Sequence, residues 1–311
     1  MSLEDYLKKL TRLNIGRVGS HERPHKPALL LAIISTVESG RLHGNRICYD
    51  PDLYSLFGKY FDVVKTADDA VNMRDPFWRL RTDGFLEHCP NSGFENVVSS
   101  QSTAPTVGQL HQICSHSTLP TEFYDLLQDP HSRRQLREAI IHRYFADKAG
   151  EVQHIVDEEQ GIGAYERFLE EETGATKRPS PELPETVRDQ AFRRVVRRAY
   201  DHRCAACGLR VVLNDLVLVE AAHLIPFAVS HDDDPRNGMA LCKNHHWAMD
   251  YDLIAPTTDL SWRVNRHLDD RIEGQRDLLD LAGRSVILPT LDRFHPKVES
   301  LRWREERLDI T

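Results

Sequence analysis

No stretch of this 311-residue chain is apolar for long enough to cross a bilayer. The longest run, Pro27 to Ile34, falls far below the roughly 18 to 20 residues that a membrane-spanning helix needs. The opening Met1-Ser-Leu-Glu-Asp-Tyr-Leu-Lys-Lys lacks the apolar core of a secretory signal. Both absences predict a cytoplasmic protein with no membrane partner. Cysteine is sparse, six residues in all, and in a reducing compartment these are not expected to form disulfides. Positive charge is also short: 40 basic residues stand against 48 acidic ones, a net charge of −8, which argues at first against nucleic acid. What remains, 40% hydrophobic and 28% charged, is the composition of a globular protein, and the length predicts two domains.

The net charge conceals two opposed blocks. Residues 151 to 186 carry ten acidic side chains against three basic ones, whereas residues 187 to 210 carry seven arginines against two aspartates. An acidic spacer meets a basic module. The stretch 174 to 186, with three prolines and no aromatic residue, reads as a linker. The expected organisation is a first domain over 1–150, an acidic helical spacer and proline-rich linker over 151–186, and a second domain over 187–311.

The first domain reads as mainly helical. Helical spacing covers Leu3 to Leu13, Pro27 to Glu38 with proline in its first turn, Asp52 to Phe61, and Ser132 to Phe145. Phe77 to Leu80 leads into a Thr82-Asp-Gly-Phe turn. Between the first two helices the segment Asn14 to Lys26 delivers Arg23, His25 and Lys26 to the start of a buried helix. In the second domain, Arg188 to Tyr200 resumes helical spacing and carries Arg193, Arg194, Arg197 and Arg198. Taken alone these read as a solvated helix face. Cys48, Cys89 and Cys114 have no partner spacing and read as small buried residues.

Chemistry concentrates between Cys204 and Asp250. Cys204-x-x-Cys207 and Cys242-x-x-His245 supply two close pairs of ligands suited to tetrahedral Zn²⁺. Four protein ligands leave no open position, so this zinc is expected to be structural. A Cys-x-x-Cys redox site is disfavoured, because no thioredoxin-like βαβ pattern surrounds Cys204. Between the pairs runs a β-rich segment ending in His223, then Asn237, then His246. This order, threaded through a zinc framework, resembles the HNH endonuclease family over roughly Arg188 to Asp259. The resemblance implies a ββα-metal fold, two strands and a helix around one catalytic divalent cation.

Histidine chemistry agrees with that resemblance. His223 can take a proton from water near neutral pH and is the expected general base. Asn237 is expected to hydrogen-bond backbone across the loop and so hold His223. On a helix over 243–252, His246 and Asp250 lie at i and i+4 and can share Mg²⁺ or Mn²⁺. Many members of the family carry a metal ligand immediately before the general base, and here that position is Ala222. Glu220, two residues earlier, is an alternative ligand or a plain surface glutamate. Beside such a module the arginines at 193, 194, 197 and 198 become candidate phosphate contacts.

The string His21-Glu-Arg-Pro-His-Lys-Pro-Ala-Leu-Leu-Leu-Ala32, followed by Asp75-Pro-Phe-Trp-Arg-Leu80, is similar to the sulfur-binding domain of restriction enzymes that cut phosphorothioate-modified DNA. That resemblance implies double-stranded, phosphorothioated DNA as the partner. Sulfur in place of a phosphate oxygen gives a larger and weakly hydrated atom on an anion, so its reader needs an apolar cavity rimmed by positive charge. Pro27, Pro76, Phe77 and Trp78 are the expected apolar surface, and Arg23, His25, Lys26 and Arg79 the expected rim. The expected fold class is therefore α+β, a helical DNA-reading domain followed by a ββα-metal domain with structural zinc. A methylcytosine-dependent nuclease and a non-catalytic zinc-containing DNA-binding protein are the competing readings. One nuclease centre per chain makes a double-strand cut the work of a homodimer or of two successive events.

Overall fold

The computed structural model describes residues 1–42, 44–171 and 183–310. The chain divides into two compact units, Met1–Gly163 and Ala164–Thr311. Most of the expected linker, 174–186, lies outside the described residues, and Glu185 opens a helix.

The first unit is built around the helix His25–Glu38, whose residues from Lys26 to Ser35 are all buried. A helix that is apolar on every side has to be surrounded. It packs against the helices Pro51–Val64, Arg74–Arg79, Thr121–Gln128 and Pro130–Tyr144. These neighbours begin where the sequence supplies caps: Asp50 accepts from Leu53 N and Asp129 from Ser132 N, each followed by proline at the first helical position. Ser35, a buried polar group of the central helix, is paired with Tyr60 at 2.7 Å, and burial pushes the Tyr60 hydroxyl up to about 12.

The central helix starts two residues before the expected Pro27. Pro24 takes the cap, and Pro27 falls within the first turn, where its missing N–H has no helical acceptor to lose. The first helix ends early, at Leu10, although Leu13 remains buried. The segment between them is a hairpin, Arg17–Val18 paired with His21–Glu22, turning through Gly19 at φ 61°. The acidic stretch expected as a spacer starts inside this unit. In the helix Ala149–Glu171, Val152 and Val156 join the first core, and Glu159 is held by Arg41 at 2.7 Å and Lys59 at 2.8 Å.

In the second unit, strands Val219–His223 and Gly238–Cys242 pair antiparallel, with Val219 opposite Cys242 and His223 opposite Gly238. The helix Lys243–Asp250 follows without a break, which completes the expected ββα arrangement. The helix Glu185–Ala199 packs across the hairpin. Gly238 permits that approach: a Cβ there would lie 2.6 Å from Val196 and 2.7 Å from Phe192. A second hairpin, Ile254–Pro256 with Trp262–Val264, is covered by the C-terminal helix Val298–Ile310.

Candidate functional site

The two-strand hairpin and its helix place four sulfur and nitrogen ligands together. The ligand atoms of Cys204, Cys207, Cys242 and His245 all lie within 4.8 Å of one another. Cys204 and Cys207 sit on a tight turn in which Gly208 N donates back to Cys204 O at 2.9 Å, and Gly208 adopts φ 75°. Cys242 ends its strand and caps the next helix, whose first turn brings His245 Nδ1 to 3.0 Å from Cys242 Sγ. A hydrogen bond from Cys242, reinforced by His245, holds the Cys204 thiol well below the usual thiol range. Burial pushes Cys207 up, and the same sulfur contact raises Cys242. Three thiols competing for protons in so small a volume form a site that a soft divalent cation fits. Among the described residues the group consists of these four ligands, the number that fills a tetrahedral site.

The adjacent residue, His246, faces elsewhere. Its Nδ1 donates to Glu220 Oε2 at 3.0 Å, and its Nε2 lies 3.4 Å from Asp250 Oδ2. One imidazole and two half-exposed carboxylates suit a divalent ion that also binds phosphate and water. Ala222 is fully buried and offers no ligand, whereas Glu220, on the same strand, reaches His246 from the exposed side.

His223 lies with its ring flat on Phe192, centroids 3.9 Å apart and 6° from parallel. Its Nε2 is 3.6 Å from Asp233 Oδ1. Asp233 is itself held by Tyr165 Oη at 3.1 Å and Arg188 Nη1 at 3.4 Å. Asn237, completely buried, ties the loop together: its Oδ1 accepts from Ile225 N, and its Nδ2 donates to Ile225 O and Asp232 O. Its own carbonyl accepts from Leu224 N at 2.7 Å, next to the histidine. The asparagine thus fixes the chain on which His223 is carried.

Away from this centre, a cavity of about 180 Å³ in the first unit gathers Arg23, His25, Lys26, Pro76 and Arg79. Arg23 and Arg79 are exposed at its rim, and Pro76 is buried against it. His25 is oriented by Ala70 O at 2.9 Å and by the Phe61 ring at 4.7 Å. Lys26 differs from the expected rim cation: its buried ammonium donates to Asn14 O at 2.6 Å and pairs with Asp83 at 2.5 Å.

Three of the expected apolar contacts lie in the core instead. Pro27 faces inward on the central helix. Phe77 and Trp78 are 2% and 1% exposed, and neither lines the cavity. Trp78 is clamped between His88, centroids 4.5 Å apart, and the Arg81 guanidinium at 4.1 Å. Pro76, Phe77 and Trp78, three successive residues of the short helix Arg74–Arg79, are all buried, and of the three Pro76 lines the cavity.

The arginine row is also divided. Arg194 is buried 4.0 Å from Glu166, and Arg198 pairs with Glu170 at 3.1 Å. Arg197 Nε donates to Arg193 O, and Arg193 is exposed beside Asp189. The expected four-arginine phosphate face is reduced by these internal pairs.

Residues 204–255 match the HNH endonuclease family, and residues 3–155 match the ScoMcrA-like DNA sulfur-binding domain. The chain joins a DNA sulfur-binding domain to an HNH endonuclease domain. No curated protein matches it. Among solved structures it is similar to a modification-dependent TagI restriction endonuclease, at 20% identity and a TM-score of 0.30. That match covers 42% of this chain and 39% of the other, so the chain spans well under half of that protein's length. The HNH domain contains His223, Asn237, His246 and all four cluster ligands, while the cavity falls wholly within the sulfur-binding domain.

Several residues around the HNH domain escaped the sequence reading. Tyr165 and Arg188 reach Asp233 from helices upstream of the matched segment, and Arg304 reaches His223 and Asp250 from downstream of it. No local spacing marks such contacts, because their partners are distant in the chain. Among the described residues, no helix is long and apolar enough to cross a membrane.

Proposed function

We propose that the chain is a modification-dependent DNA endonuclease that reads a phosphorothioate through the cavity of the first unit and hydrolyses a phosphodiester at His223. The observation that carries this reading is the presence, in one chain, of a sulfur-binding domain with a cationic cavity and an HNH domain with its histidine held by a buried asparagine. In this reading the reader is the first unit, Met1–Gly163, which takes in the start of the acidic segment, and the nuclease is the second, Ala164–Thr311.

In this reading, Pro76 offers apolar surface to sulfur while Arg23, His25 and Arg79 meet the charge of the phosphate and flanking base edges. His223 accepts a proton from the attacking water, with Phe192 setting the plane of its ring and Asn237 the position of its backbone. His246 and Asp250 would hold Mg²⁺ or Mn²⁺, with Glu220 orienting the His246 ring through Nδ1. When bound, such an ion stabilises negative charge on the attacked phosphate and the departing oxygen. Cys204, Cys207, Cys242 and His245 would hold a structural Zn²⁺ that fixes the start of the helix carrying His246. Arg193 is the member of the arginine row best placed for DNA, being the most exposed. A single centre per chain calls for two protomers, or two events, to cut both strands.

Matched duplexes, one phosphorothioated in the Rp configuration, one cytosine-methylated and one plain, incubated with Mg²⁺ or Mn²⁺, test the reading. Selective cutting of the phosphorothioated duplex is expected, and equal cutting of all three refutes modification dependence. His223→Ala should abolish cutting and retain DNA binding.

A further inference from the structure

The C-terminal helix Val298–Ile310 lies outside the segment that matches the HNH family, yet it sends one side chain into the middle of the candidate centre. Arg304 is 3% exposed. Its Nη2 donates to His223 O at 3.2 Å and to Asp250 Oδ1 at 3.4 Å, while Nη1 donates to Met249 O at 3.1 Å and lies 3.7 Å from Asp252 Oδ1. One planar guanidinium thereby ties the strand end that carries the proposed base to the helix end that carries a proposed metal ligand. From these contacts we infer that Arg304 is a positioning residue of the nuclease, setting the separation between His223 and Asp250. The inference rests on the nuclease reading above.

Chemistry favours arginine over lysine here. The rigid fork presents several N–H groups in one plane, so it can meet a backbone carbonyl and a carboxylate at once, which a single ammonium does with poorer geometry. Engaging Asp250 at Oδ1 leaves Oδ2 turned toward His246 Nε2, the side on which an ion would be shared. The charge of Arg304 is met by Asp252 as well as Asp250, so the contact orients the carboxylate without relying on it as sole counter-ion. The neighbouring Arg307 binds Asp252 at 2.9 Å and so docks the same helix through a carboxylate other than Asp250. Arg307 therefore separates helix docking from positioning.

The full-length chain carrying Arg304→Ala, Arg304→Lys or Arg307→Met is compared with the parent in two assays. In single-turnover cleavage of phosphorothioated duplex, Arg304→Ala is expected to lose about 10- to 100-fold in rate, as for other groups that orient metal ligands, with DNA affinity and zinc content unchanged. Methylguanidinium should restore part of that rate in Arg304→Ala and none in His223→Ala. Arg307→Met should cut at the parent rate. Mn²⁺ titration followed by electron paramagnetic resonance needs no DNA, and Arg304→Ala should bind the ion about 10- to 100-fold more weakly. If the alanine variant does not fold, Arg304→Lys takes its place, with a reduced rate and full zinc content expected. Parent-like Mn²⁺ affinity in the Arg304 variants overturns the inference, as does an equal loss in Arg307→Met. A parent chain that binds Mn²⁺ and cuts no duplex rejects the nuclease reading, and the Mn²⁺ comparison then still decides the placement of Arg304.

Discussion

Phe192 lies parallel beneath His223, with ring centroids 3.9 Å apart. The stack joins the helix Glu185–Ala199 to the strand that carries the histidine, and it fixes the plane of an imidazole whose Nε2 has no hydrogen-bond partner among the described residues. Replacing Phe192 by leucine keeps apolar volume but removes the flat surface. The expected result is a loss of about 1 kcal/mol of stability in urea unfolding. A catalytic loss of up to about 100-fold should accompany it, since small misplacements of a reacting group are costly. Unchanged cleavage by Phe192→Leu would show that the ring needs no such support.

Zinc should be present at one ion per chain by elemental analysis. Structural zinc sites supply apparent binding free energies of about 10 to 16 kcal/mol at neutral pH, comparable to the whole stability of a domain. Cys242→Ser is therefore expected to yield a second unit that is digested rapidly by protease while the first unit survives. Retention of a resistant second unit in metal-free protein would reject a structural role for the cluster.

The first unit should have a pH dependence of its own. His88 is stacked between Phe77 and Trp78; Trp78 O is the acceptor at 3.2 Å for its Nε2, and Nδ1 faces Ser117 Oγ at 2.8 Å. Burial depresses its ring from the ordinary 6.5 to about 4. The unfolded chain therefore binds the proton first as pH falls. Stability contributed by the neutral ring is full above pH 6.5 and is lost between there and about 4. The loss amounts to about 3 kcal/mol. Urea unfolding of the parent and of His88→Gln at pH 7 and pH 4.5 measures it: the parent should lose more stability than the variant, and identical pH slopes would contradict the assignment.

For the cavity, Arg23→Ala combined with Arg79→Ala tests the rim without disturbing the Lys26–Asp83 pair, which is structural. Each phosphate contact contributes nearly one unit to the log–log slope of affinity against salt, so the double variant should lose about 2 units. Its preference for phosphorothioated over plain duplex should also shrink. A parent-like slope and preference would remove these arginines from the DNA interface.

How much of this was legible in the sequence depends on how far apart the partners lie. Cys204, Cys207, Cys242 and His245 could be read from spacing because each pair closes within one turn, and His245 and His246, about 100° apart as consecutive residues of one helix, meet different groups. Asn237 was legible for the same reason, since its contacts stay within the loop from Ile225 to Asp232. The partners of Lys26 and Arg194 were not legible, because Asp83 lies in another turn of the fold and Glu166 comes from a preceding helix. Phe77 and Trp78 show a different limit: in a six-residue helix the periodicity is too brief to tell an inward face from an outward one. The role of Arg304 could not be read at all, as nothing near it in the chain resembles a site.

His245 and His246 are neighbours joined by a single peptide bond, one turned to the thiolates and the other to the carboxylates. On the proposed reading, a change in the size of an ion held among the cysteines moves the helical turn that carries His246 as well. Loading the cluster with cadmium in place of zinc would then act as a fine adjustment screw on the proposed centre, altering its geometry without substituting any of its residues.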